Sequence, residues 1–238
     1  MIQNSKNLGY GAAANQAIAI SETPFVLLLN VDVEILPGAI ETMERYLSQH
    51  SEVALVAPKL IFPDGTLQPS LRTFPTAKSI ALYLSFLDRL FHSQYRKGAK
   101  EHQLSDDIDQ PMGAAMMIRK SVLQEIGGFD ERFFLYMEEV DLCYRIKQKH
   151  YRIAFVPQAE VIHHAGGSSR QDWERAQTQF LQSVRLYFEK HDPEQARRWQ
   201  KLLPPALMFR SVLLFCSGRV REAKFYLKSA AAGFRITL

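Results

Sequence analysis

Cysteine is nearly absent from this chain. Cys143 and Cys216 are its two thiols, and neither lies in a CxxC pair. That excludes a disulfide framework, and both read as reduced, partly buried thiols of a cytosolic protein. Long apolar runs are missing too. A membrane-crossing helix needs roughly 18 to 20 apolar residues, and the strongest stretch, Leu202 to Cys216, is interrupted by Pro204, Pro205 and Arg210. The opening MIQNSKNLGY holds no apolar h-region, so no signal peptide is expected. There is no internal repeat, no low-complexity tract and no nucleic-acid-binding motif, so nucleic acid is not an expected partner.

Enough apolar material is present to build a core. The 238 residues are 47% hydrophobic and 23% charged, which suits one α/β domain plus an appendage and argues against disorder over most of the length. The net charge of +4 hides a division along the chain. Residues 170–238 carry 13 Lys and Arg against 6 Asp and Glu, while residues 1–169 carry 16 against 19. The basic excess therefore sits wholly in the C-terminal segment, where an anionic surface or a phosphorylated substrate is the natural complement.

The order of elements is that of an α/β protein. Gly11 to Ile20 is Ala-rich and predicts a helix. Phe25 to Leu29 is a short apolar run between breakers, which predicts a strand buried on both faces, as in a parallel sheet. Pro37 reads as the first residue of a helix reaching about Gln49, with Ile40, Met43 and Leu47 as its apolar stripe. Val53 to Ala57 and Ala114 to Ile118 are further strands. Phe62 to Gly65 has the composition of a hairpin tip. Ser79 to Phe91 reads as an amphipathic helix, and Glu101 to Asp109 as an acidic loop. Ser121 should cap a short helix ending at Gly127 and Gly128. Glu138 to Lys149 begins acidic and ends basic, as a helix dipole favours. Arg152 to Val156 and Glu160 to His163 read as strands flanking Pro157. The chain is helical from Asp172 onward.

Three clusters have the residue types that chemistry requires. Asn30-Val31-Asp32 directly follows an apolar strand, and ligands of open α/β sheets bind outside the carboxyl ends of strands. A carboxylate there can hold a divalent cation, which in turn can bridge a diphosphate. Glu138, Glu139 and Asp141 open a helix behind the run Phe133 to Met137. Partial desolvation by that run would raise a carboxylate's pKa toward the range of a general base. Neighbours on a helix point about 100° apart, so at most one of Glu138 and Glu139 faces a given ligand. His163 and His164 precede Gly166, Gly167, Ser168 and Ser169. An imidazole can ligate metal, but spacing alone does not choose between the two histidines. In the tail, Phe209, Val212, Leu213, Leu214, Phe215, Phe225, Tyr226 and Leu227 alternate with basic residues, as in an interfacial helix or one packed on a core.

Six stretches in this order resemble the family 2 glycosyltransferases, and within them the branch containing rhamnosyltransferases of bacterial cell-surface polysaccharide assembly. They are NLGYGAAAN (Asn7 to Asn15), LLNVDV (Leu28 to Val33), GAAMMIR (Gly113 to Arg119), GGFDERFF (Gly127 to Phe134), YMEEVDLC (Tyr136 to Cys143) and VIHHAGGS (Val161 to Ser168). The likeness spans about residues 4 to 170. It implies a GT-A type fold, with a Rossmann-like, mostly parallel sheet over 1–170 and a basic helical extension over 171–238. It further implies that Asp32 and His163 hold Mg²⁺ or Mn²⁺. Glu139, in the second position of the Glu-Asp-like motif, becomes the catalytic base, with Glu138 and Asp141 beside it. Asn7, Gly9, Asn15, Asn30, Gly113 and Ala114 would line the nucleotide-sugar pocket. The family normally begins with a strand-helix-strand unit ahead of this point. The expectation is thus a fold lacking that unit, with the Phe25–Leu29 strand at an exposed edge. The implied activity is inverting sugar transfer from a dTDP-rhamnose-like or UDP-sugar donor to a glycan or polyprenyl-linked acceptor. The implied place is the cytoplasm, peripheral on the inner face of the plasma membrane through residues 203–238. The alternative is an inactive remnant serving as a binding or scaffolding module.

Overall fold

A computed structural model describes residues 2–90, 107–164 and 172–232. The chain divides into two compact units, Met1–Phe74 with Arg96–Ala176, and Pro75–Tyr95 with Gln177–Leu238. The second unit thus gathers Pro75–Tyr95 together with the C-terminal helices, where the sequence suggested a single boundary near residue 170.

In the first unit the elements are α1 (Tyr10–Ile20), β1 (Phe25–Leu29), β2 (Val33–Ile35), α2 (Ala39–Gln49), β3 (Val53–Ile61), β4 (Leu71–Arg72), β5 (Gln110–Pro111), β6 (Ala115–Arg119), α4 (Lys120–Glu125), α5 (Glu138–Gln148) and β7 (Arg152–His163). The apolar runs lie side by side in a five-stranded sheet of order β1-β6-β3-β7-β2, and β4 pairs with β5 in a small second sheet. The main sheet is mixed, which corrects the expectation of a mostly parallel one. β3 and β7 pair in parallel, whereas β6 runs antiparallel to both β1 and β3, and β2 antiparallel to β7. A strand buried on both faces reads as a continuous apolar run whichever way its neighbours point, so the run alone carries no direction.

Alternate residues of the strands feed two cores. Leu55, Met116, Ile118, Ile153 and Phe155 face Ala14 and Ile18 of α1, Leu123 of α4 and Leu142 and Ile146 of α5. Val53, Val56, Met117, Ala154 and Val156 belong with Met43 and Leu47 of α2. Helices therefore cover both faces of the sheet, the layering of an α/β fold. Among the described residues β1 pairs with β6 alone and forms one edge.

Several boundaries shift for local reasons. Gly38, in the left-handed region at φ 81°, caps α2, so Pro37 precedes the helix. Lys120 opens α4, which puts Ser121 inside the first turn rather than at the cap. The 62–65 turn closes as expected, with the Gly65 amide donating to the Phe62 carbonyl at 2.9 Å. β7 is one strand through Pro157. Val156 pairs with Pro58 and Glu160 with Lys59, so residues 157–159 bulge from the ladder.

The second unit contains α3 (Ala77–Leu84), most of α6 (Trp173–His191), α7 (Pro193–Cys216) and α8 (Val220–Ala231). Thr76 and Ser79 form a capping box that starts α3. That helix ends at Leu84, and a 3-10 turn follows at Leu87–Arg89. Phe91 and the acidic stretch 101–106 lie outside the described residues. Pro204 and Pro205 are inside α7, where the sequence suggested a break. They free the carbonyls of Gln200 and Lys201, both exposed residues where water can bond those groups, while Leu203, Ala206 and Leu207 stay packed. Among the described residues, no helix is long and apolar enough to cross a membrane.

Candidate active site

The first cluster forms where two ladders run past their strands. The Asn30 amide donates to the Ala114 carbonyl at 2.9 Å, one step beyond the Leu29–Ala115 pair. The His164 amide donates to the Asp32 carbonyl at 2.9 Å, one step beyond Val33–His163. Consequently the Asn30–Asp32 turn, Gly113–Ala114 and His163–His164 all stand at the carboxyl end of β1 and β7. The Asp32 Oδ1 is 3.4 Å from His163 Nε2. On the other side of the ring, Nδ1 is 2.9 Å from Oε1 of the buried Gln68. With that oxygen accepting, Nδ1 carries the proton and Nε2 presents its lone pair toward Asp32. His164 turns elsewhere, its Nε2 3.8 Å from Glu34 Oε2.

The second cluster is built on backbone strain. Tyr136 and Met137 have φ of 66° and 68°, two successive non-glycine residues in the left-handed region, immediately before α5. Such conformations cost on the order of 1–3 kcal/mol each and gather at functional sites. They swing the chain so that Glu138 is buried, at 7% exposure, and Glu139 is half-buried. Among the described residues Glu138 Oε2 has no hydrogen-bond partner, and burial followed by the Glu139 charge pushes its carboxyl up to about 8. Desolvation also raises Glu139, opposed by backbone hydrogen bonds and the Arg72 guanidinium. The Tyr10 hydroxyl is pushed up by burial and by both glutamates, so it belongs to the same neighbourhood. A Cβ on Gly113 would stand 3.4 Å from Glu139 Cγ. Glu139 thus lies against the segment that Asn30 joins, and the two clusters share one end of the sheet.

Two expected site residues have other work. Asn15 spends its amide on the loop before α5. Its Oδ1 accepts from the Phe129 amide at 2.8 Å, and its Nδ2 donates to the Phe129 carbonyl at 2.9 Å and to Glu131 Oε1 at 3.0 Å. A Cβ at Gly128 would lie 2.5 Å from that Oδ1, which together with φ 68° explains the glycine. Asp141 is fully buried and binds Arg145 Nε at 2.8 Å. Arg145 in turn donates to the carbonyls of Ile126 and Gly128. Asn15, expected to line the nucleotide-sugar pocket, and Asp141, expected beside the catalytic base, thus act in the structure as two clamps on the 126–131 loop. Asn7 accepts from the Gly9 amide at 2.9 Å in a local turn. Gly9 passes so close to Phe134 that a Cβ would meet its carbonyl oxygen at 2.6 Å. The Gly166 to Ser169 stretch lies outside the described residues.

The donor set can hold a divalent cation. A carboxylate oxygen and an imidazole nitrogen face each other, and the ring is oriented from behind by Gln68, the outer-shell arrangement typical of metal-binding histidine. Among the described residues no cluster of three His, Cys, Asp or Glu exists. Further ligands would be diphosphate oxygens and water, as is usual for Mg²⁺ at phosphate sites.

The family described as glycosyltransferase-like family 2 matches residues 1–189. The chain belongs to this family. Its glycosyltransferase relatives include the N-acetylglucosaminyl-diphospho-decaprenol L-rhamnosyltransferase of Mycobacterium tuberculosis, 29% identical over 187 residues, covering 72% of this chain and 61% of the relative. The rhamnosyltransferase WbbL of Escherichia coli is 26% identical over 76% of this chain and 71% of its own length. The low-salt glycan biosynthesis hexosyltransferase Agl10 of Haloferax volcanii is 26% identical over 79% and 56% respectively. The chain spans about three fifths of the length of the curated relatives it matches first. Two solved glycosyltransferases share the fold. GalNAc-T7 with UDP, GalNAc and Mn²⁺ has a TM-score of 0.57 at 14% identity, over 98% of this chain and 44% of that one. The mannosyltransferase PcManGT of Pyrobaculum calidifontis, with GDP-Man and Mn²⁺, has a TM-score of 0.50 at 13% identity, over 100% and 58%.

Sequence reasoning missed Gln68, Arg72 and Tyr10. Gln68 is 95 residues from His163. No spacing rule connects residues so far apart, and only the hairpin that follows β3 brings Gln68 in.

Proposed function

We propose that this glycosyltransferase moves a sugar from a nucleoside diphosphate to an acceptor hydroxyl with inversion at the anomeric carbon. The reading rests on the Asp32–His163 pair and Glu139 standing at the same end of the sheet. Asp32 and His163 would hold Mg²⁺ or Mn²⁺, which when bound offsets the charge that builds on the departing diphosphate. Glu139 is the base. Its half-buried, desolvated carboxylate takes the proton of the acceptor hydroxyl while that oxygen bonds to the anomeric carbon and the bond from that carbon to the diphosphate oxygen breaks. Such a base contributes on the order of 10²–10⁴-fold. Gly113 leaves room beside the Glu139 stem, and Asn30 would border the same space, held there by its bond to the carbonyl of Ala114, whose side chain is buried in the core. Gly9, which passes against Phe134, and Asn7, which accepts from the Gly9 amide, would flank it. Glu138, buried and neutral up to about pH 8, keeps a second negative charge out of the cleft.

The relatives support a finer reading. Two are named rhamnosyltransferases, and one of these acts on a decaprenol-linked acceptor. The proposed donor is therefore a dTDP-rhamnose-like sugar, or else a UDP-sugar, and the proposed acceptor is a glycan or polyprenyl-linked saccharide at the inner face of the plasma membrane. Isothermal titration with dTDP, UDP and GDP, with and without Mn²⁺, tests the site. Metal-dependent binding of one nucleotide, lost in Asp32→Ala, is expected. Binding that is absent, or indifferent to Mn²⁺, would leave the chain as a non-catalytic binding module.

A further inference from the structure

In the run that closes α7, Leu203, Leu207 and Leu214 are buried, the polar Arg210 and Ser211 turn inward with them, and a second set of apolar residues is left outside. Arg210, the charge that interrupts the run in sequence, is drawn into the unit. Its guanidinium carbon lies 3.9 Å from the Phe86 ring centroid and 4.6 Å from that of Tyr226, and its Nη1 donates to the Leu84 carbonyl at 2.8 Å. Ser211 is buried as well, donating to the Ala223 carbonyl at 2.8 Å. What remains on the outside is Leu202, Met208, Phe209, Val212, Leu213 and Phe215. Met208 is 53% exposed, Val212 59% and Phe215 65%. At 100° per residue these side chains fill a single arc of the helix, and no charge falls within it between Leu202 and Cys216. A packed helix hides such an arc, and contiguous exposed apolar patches of this kind mark contact surfaces.

We propose that this outward face of α7 rests on an anionic lipid bilayer, entering the headgroup boundary without crossing it. Charge selects the occupant. Residues 193–232 carry eight Lys and Arg against two acids, Glu194 and Glu222. Lys201 stands exposed at one end of the face, and Lys224 and Lys228 are exposed on α8, where Val220 and Leu227 share their arc. A second copy of this chain would bring like charges together, whereas anionic headgroups neutralise them as the apolar residues enter the acyl boundary. The surface stands independently of sugar transfer.

The chain supplies its own probe. Cys216 is exposed at the end of this face and Cys143 is buried, so a thiol-reactive environment-sensitive dye reports one position. The full chain so labelled is mixed with vesicles of phosphatidylcholine containing 30 mol% phosphatidylglycerol, and with pure phosphatidylcholine. A blue shift and co-flotation with the anionic vesicles are expected, at least tenfold tighter than with neutral ones at low salt. In unlabelled chain, Met208→Ser/Val212→Ser/Phe215→Ser should lower partitioning at least tenfold while leaving the thermal midpoint and nucleotide titration unchanged, since all three side chains are exposed. Lys224→Glu/Lys228→Glu should erase the anionic preference. No flotation by the unsubstituted chain, or equal flotation by the triple variant, overturns the proposal. So does a homodimer in light scattering that the triple variant abolishes, because a second copy then covers the face. Nucleotide binding is read separately, so failure here and failure of the site are distinguishable.

Discussion

His163 can serve a cation only if its ring is held with Nε2 toward Asp32, and the group that holds it is Gln68, 2.9 Å from Nδ1. Gln68→Leu should therefore weaken Mn²⁺ binding in the presence of nucleotide by about 10–100-fold, the usual cost of losing an outer-shell partner. Calorimetric titration of Mn²⁺ into the nucleotide complex measures it, and unchanged affinity would free the imidazole from any need of Gln68. Glu138 supports a prediction of a different kind. Its carboxyl is raised from 4.5 to about 8 in the folded chain, so the folded state binds the extra proton between those values. Stability then falls as pH rises from about 4.5 to about 8 and levels off above. The loss is on the order of 5 kcal/mol. Glu138→Gln removes that slope. Urea denaturation at several pH values should show the variant gaining on the parent as pH rises toward 8, and a difference constant with pH would refute the assignment. At this scale the sequence disclosed the residue types at the site, because carboxylates and imidazoles announce themselves. It did not disclose which of them are exposed. Asp141 and Asn15 have the right chemistry and spend it internally, on Arg145 and Phe129.

The 126–131 loop shows how one element positions another. Asn15 of α1 grips Phe129 from one side, and Asp141 with Arg145 of α5 grips Ile126 and Gly128 from the other. The loop leads straight into the strained turn at Tyr136 and Met137 that delivers Glu139. Arg145→Met removes a charged partner of the fully buried Asp141, at a cost of about 3–5 kcal/mol. Asn15→Ala should cost less, about 1–3 kcal/mol for the groups it orphans. Gly128→Ala should also destabilise, and Asn15→Ala should relieve part of that loss in the double variant, because the new methyl collides with Asn15 Oδ1 while the strain at φ 68° persists. A urea-denaturation cycle over the four proteins checks the coupling, and strict additivity would show that the two positions do not meet. Element existence was easy to read in the sequence, since Phe25–Leu29, Ala115–Arg119 and the apolar stripe of α2 follow from pattern alone. Strand direction was not, because β6 enters between β1 and β3 from far along the chain. Nor was the continuity of β7 through Pro157, which depends on a bulge that lets the parallel ladder resume at Glu160.

At the scale of the molecule, the least legible fact is the company kept by Pro75–Tyr95. Its sequence position is inside the sheet unit, yet it belongs to the unit of C-terminal helices. The reason is physical and local to that unit. Ala77, Ile80, Ala81 and Leu84 of α3 are buried, the Ala77 amide donates to Gln195 Oε1 at 2.8 Å, and the Leu84 carbonyl accepts from Arg210 at 2.8 Å. An apolar stripe in α3 says only that something covers it, and the partner arrives more than 100 residues later. A chain ending at Ala176 should therefore be poorly soluble, since α3 keeps its apolar face and loses its cover. Replacing residues 75–95 of that shortened chain with a Gly/Ser linker of equal length removes the uncovered helix. This second protein should be monomeric by light scattering and should retain nucleotide-dependent Mn²⁺ binding, because Asp32, Gln68, Glu139 and His163 all lie in the first unit. If the simple truncation is itself soluble and monomeric, α3 does not need the C-terminal helices and the division of the chain into these two units is wrong.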